Sequence, residues 1–137
     1  MSKQLKKMQV SEQIRTLQAR LRDELPEIRP YGEDDWDWTL ADEGFELLES
    51  GDVLMAERKF HELILARPDD PDGYEGLALV CHEAGNREDA LCLVEHALKL
   101  AEAAVAAGLL DDGVVMALRQ EQKEIQNPAP RLQNQED

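Results

Sequence analysis

Basic residues are scarce relative to acidic ones: 15 Lys and Arg stand against 30 Asp and Glu, giving a net charge of -15 with His neutral. So acidic a chain lacks the clustered cations that a phosphate backbone requires, which excludes nucleic acid as a general partner. Cysteine is also sparse. Cys81 and Cys92 are too few for a disulfide framework and suit a reducing compartment. No apolar run approaches the roughly 18 residues that cross a bilayer, so no membrane association is expected. The opening MSKQLKKMQV is basic but leads into no apolar stretch, so it does not read as a signal peptide and a cytoplasmic location is expected. Short catalytic signatures are missing as well: no HExxH, no Gly-rich phosphate loop, no GxSxG and no CxxC. Neither an enzyme nor a cofactor is expected.

What remains is enough for a folded domain: 137 residues, 42% of them hydrophobic, with few aromatics and a helix-leaning composition. The charge is unevenly spread. Residues 1–29 carry seven basic against four acidic residues, a net of +3, and leave -18 on the rest. An irregular linker is expected over 26–35, where two prolines, Gly32 and an acidic run interrupt any helix. The polar, proline-broken stretch 127–137 reads as a disordered tail.

Laid over itself at an offset of 34, the chain matches: Gly44 falls on Ala78, Gly51 on Gly85, Asp52 on Asn86, Ala56 on Ala90, Phe60 on Val94 and Ile64 on Leu98. The first copy reads Leu40, Gly44, Leu47, then Ala56, Phe60 and Pro68; the second reads Tyr74, Leu77, Ala78, Cys81, then Ala90 and Val94. This pattern resembles the tetratricopeptide repeat (TPR), a helix–turn–helix unit of that length. The resemblance implies an all-α fold, a TPR-like helical-hairpin array (α-α superhelix) over 36–126, with repeats at about 37–70 and 71–104. A capping helix at 112–126 and an extra N-terminal helix in 1–25 complete the expected architecture.

Physical chemistry supports the same elements. Small residues at Gly44, Ala56, Ala78 and Ala90 let paired helices approach closely. Gly51 and Gly85 supply the left-handed residue of a tight turn, and Asp70-Pro71 starts a new helix. Helices are therefore predicted near 36–50, 53–67, 71–84, 87–107 and 114–126. Two departures from the repeat stand out: Glu43 occupies a position normally large and apolar, and Glu102 replaces the second closing proline, so that helix should run on to Gly108.

In a TPR stack the first helix of each repeat lines a concave groove. The corresponding faces here carry Trp38, Ala41, Asp42, Phe45, Leu48 and Glu49, then Glu75, Gly76, Leu79, His82 and Glu83. An apolar patch with an acidic rim suits a basic or amphipathic protein segment, which makes an adaptor or chaperone the expected role. The groove Lys and Asn residues with which some TPR proteins hold a C-terminal carboxylate are not present on these faces. The acidic charge, small size and leading helix are similar to the TPR chaperones of bacterial type III secretion, which normally carry three repeats. A second reading, a metal-binding or enzyme-accessory protein, rests on Cys92 and His96 one helical turn apart. The packing position of Cys81 directs its thiol inward and His82 away, so no metal site is expected. Finally, Val10, Ile14, Leu17 and Leu21 form an apolar stripe at steps of four, three and four. This basic helix reads either as one more core helix of the array or as a helix that docks on the surplus apolar face of helix 36–50, in its own chain or in a second copy as a homodimer.

Overall fold

The computed structural model describes residues 2–30 and 39–127. Among them there are six helices and no strand: α1 (Ser2–Glu24), α2 (Thr39–Glu49), α3 (Val53–Ala66), α4 (Pro71–Glu83), α5 (Arg87–Ala106) and α6 (Asp112–Gln126). The fold is an all-α array of helical hairpins. α2 pairs with α3, α4 with α5, α3 packs on α4, and α6 closes over α5.

The turns fall where the repeated glycines put them. Gly51 and Gly85 have φ of +90° and +82°, a region that costs other residues strain. Around Gly51 the amide of Asp52 donates back to the Leu47 carbonyl at 2.9 Å, and around Gly85 that of Asn86 donates to Cys81 at 2.8 Å. The same residues then begin the next helix, because the Asp52 and Asn86 side chains accept from Met55 N and Asp89 N. α5 runs on past Glu102 to stop at Gly108. α6 spans the expected capping helix 112–126, with Asp111 at the cap position.

Phe60 of α3 holds the first hairpin to the second. Its ring is fully buried, and it lies where both Gly44 of α2 and Gly76 of α4 lack a side chain: a Cβ at Gly44 would stand 2.6 Å from the ring, and one at Gly76 2.1 Å. Burying a ring of this size contributes on the order of 2–3 kcal/mol. Gly76, read from sequence as a groove residue, is therefore a packing residue. Glu43 reaches Lys59 of α3 at 3.2 Å, so the charge that replaces an apolar residue of the repeat becomes an exposed ion pair across the hairpin.

The N-terminal helix corrects an expectation. α1 packs against α3 and α5, the second helices of the two hairpins, and not on the surplus face of α2. Val10, Ile14, Leu21 and Leu25 are buried there and Leu17 half-buried. Tyr74 explains the choice of side. Its fully buried ring meets His96 of α5 edge-on at 4.6 Å, its hydroxyl donates to the Pro68 carbonyl, and Gln18 of α1 donates to that hydroxyl, both at 2.8 Å. A buried hydroxyl must be satisfied, and α1 supplies the second partner.

Candidate functional site

With α1 on the other helices, the face formed by α2, α4 and α6 keeps its apolar groups half-exposed. Phe45 touches Phe60 edge-on at 5.0 Å and still presents part of its ring; Leu48 and Leu79 are half-buried. Asp42, Glu49 and Glu83 are exposed around them, while Glu75 and His82 are half-buried. Ala41 is buried and contributes packing rather than a contact surface. Trp38, the remaining residue predicted for this face, lies outside the described residues, as do residues 128–137 of the tail predicted over 127–137.

The electrostatics of this face extend beyond the residues that the repeat pattern picks out. Asp72, one turn before Glu75 on α4, has its pKa raised to about 7 by burial, and then by the charges of Asp70, Glu75 and Asp42. Glu75 is pushed well above the carboxylate range, first by burial and then by a hydrogen bond and charge from Glu121 of α6. Burial and the nearby Glu121 together hold the Glu75 carboxyl toward its neutral form. Sequence reasoning missed Asp72 and Glu121. Asp72 could have been found from its i, i+3 spacing to Glu75. Glu121 could not, because the neighbouring position of α4 and α6 arises only once α5 has folded between them.

Chemically, this face can exchange a proton for another cation. A Lys ammonium or Arg guanidinium placed among Asp42, Asp72, Glu75 and Glu121 would relieve the crowding that raises their pKa values. Nothing in the described residues resembles an activated nucleophile. Cys81 and Cys92 are both pushed up to about 11, chiefly by burial, and stay neutral thiols near neutral pH. The pKa values of His61 and His96 are lowered, chiefly by burial. Cys92 is buried and His96 meets Tyr74 edge-on; among the described residues no three His, Cys, Asp or Glu side chains gather as a metal-ligand set. No family model matches the chain, and no curated protein or solved structure matches it significantly.

Proposed function

We propose that this chain is a TPR-type protein-interaction module, an adaptor or chaperone that holds a basic, amphipathic protein segment on the α2–α4–α6 face. The offset of 34 residues supports the repeat reading, since both copies fold as hairpins turning at Gly51 and Gly85. The observation that carries the binding reading is the half-exposed Phe45, Leu48 and Leu79 on helices that also present the carboxylates of Asp42, Glu49, Glu75 and Glu83. Apolar anchors give such a complex its affinity, and the surrounding carboxylates choose a cationic partner and speed its arrival. A homodimer through α1 would require that helix to leave α3 and α5 and take the same place on a second copy.

An NMR titration tests the reading. A helical peptide with Leu on one face and Lys on the other should shift signals of Phe45, Leu48, Glu75 and Leu79 and saturate. The same peptide with Glu in place of Lys should leave them unmoved. Phe45→Ser should abolish saturation without loss of helical signal. Shifts confined to α1, or equal response to both peptides, would overturn the proposal.

A further inference from the structure

A cavity of about 860 Å³ opens on the α1 side of the molecule, between that helix and the turn ends of both hairpins. Its volume lies in the range that takes a small organic ligand. The walls are apolar where they are deepest: Ile14 and Leu17 of α1, Val80 of α4 and Leu93 of α5, with the two neutral thiols between them. The charged lining is unbalanced. Glu12, Glu57 and Asp89 contribute carboxylates from α1, α3 and α5, against Arg20 as the one cation of the lining, and that guanidinium already lies 3.7 Å from Glu24. His61 lies 3.8 Å from Glu57, and burial lowers its pKa.

We propose that this cavity is a second binding site, for a small organic cation: an amine carried on an aryl-alkyl or alkyl body. The body replaces water held against apolar walls, and the ammonium sits among carboxylates that outnumber the one cation of the lining. An anion of the same shape meets the same walls but the wrong charge. The site is separate from the α2–α4–α6 face, so it does not depend on that face binding a protein.

Phenylbutylamine, phenylbutanol and phenylbutyrate share one body and differ in charge, which makes them suitable probes. Titrated into the intact chain, the amine should shift α1, α3 and α5 signals around the cavity to saturation and slow alkylation of Cys81 and Cys92 by iodoacetamide. The alcohol should bind about tenfold more weakly and the acid not measurably. Glu12→Gln with Glu57→Gln should weaken the amine by about tenfold. Thr16→Trp, an exposed position on the lining, should fill the space and abolish both the shifts and the thiol protection. Phe45→Ser should change nothing. Equal affinity for the three probes overturns the proposal. So does undiminished binding to Thr16→Trp, or unsaturable shifts spread over the acidic surface.

Discussion

Adding one methyl group at Gly76 should break the packing at the centre of the array. A Cβ there would lie 2.1 Å from Phe60 Cε1 and 2.3 Å from both Cδ1 and Cζ, far inside contact distance. The ring has nowhere to go. It is fully buried, Gly44 already leaves it the space of a missing side chain on α2, and Phe45 meets its edge at 5.0 Å. Helix propensity acts in the other direction, favouring Ala over Gly by about 1 kcal/mol. Overpacking in a closed core costs about 1–3 kcal/mol, and contacts this short belong at the upper end, so Gly76→Ala should lose about 2 kcal/mol net. Urea unfolding followed by circular dichroism reads this as a lower midpoint at unchanged slope. Phe60→Leu is the control. Alone it should cost about 1–2 kcal/mol by leaving a void. Combined with Gly76→Ala it should cost less than the sum, because the new methyl occupies the vacated space. If Gly76→Ala stabilises the protein by its propensity gain and the two changes add, Phe60 is not wedged between α2 and α4.

Three further outcomes are expected. Asp72 and Glu75 have folded-state pKa values above their unfolded ones, so their contribution is fully present below about pH 4 and is lost as pH rises through about 7 for Asp72 and higher for Glu75. Glu75→Gln needs no proton to stay neutral; its melting temperature should match the parent's near pH 4 and exceed it increasingly as pH rises above that, and parallel pH profiles would contradict the raised pKa of Glu75. Tyr74→Phe strands the Gln18 amide and the Pro68 carbonyl, which should cost about 1–2 kcal/mol and speed amide exchange in α1 more than in α4; uniform exchange would show that α1 is not anchored there. Gly85→Ala, in the open at φ +82°, should cost about 1 kcal/mol from backbone strain alone, measured by the same urea midpoint.

The hairpins were legible in the chain because their signals are local. Gly51, Gly85 and Gly108 each end a helix, and Asp52, Asn86 and Asp70-Pro71 each begin one, whatever lies across from them. The apolar stripe of α1 was legible too, but not the surface that accepts it. A stripe states that something must be covered; the anchoring hydroxyl of Tyr74 lies 56 residues away in sequence and carries no mark of its role. The groove divides along the same line. Phe45, Leu48 and Leu79 follow from the repeat register. Gly76 does not, since its small size serves Phe60 of the preceding hairpin, and the Glu75–Glu121 pair depends on two helices that α5 separates in the chain.

The most direct test of the proposed role is the proton balance of binding. Isothermal titration of the Leu/Lys helical peptide in two neutral buffers of different ionisation enthalpy reports the protons released per complex. A cation bound beside Glu75, whose carboxyl burial holds toward its neutral form, predicts saturable binding with a net release of protons that Glu75→Gln reduces. Absence of binding, or binding with the same heat in both buffers, would contradict the assignment of this face as a site for basic protein segments.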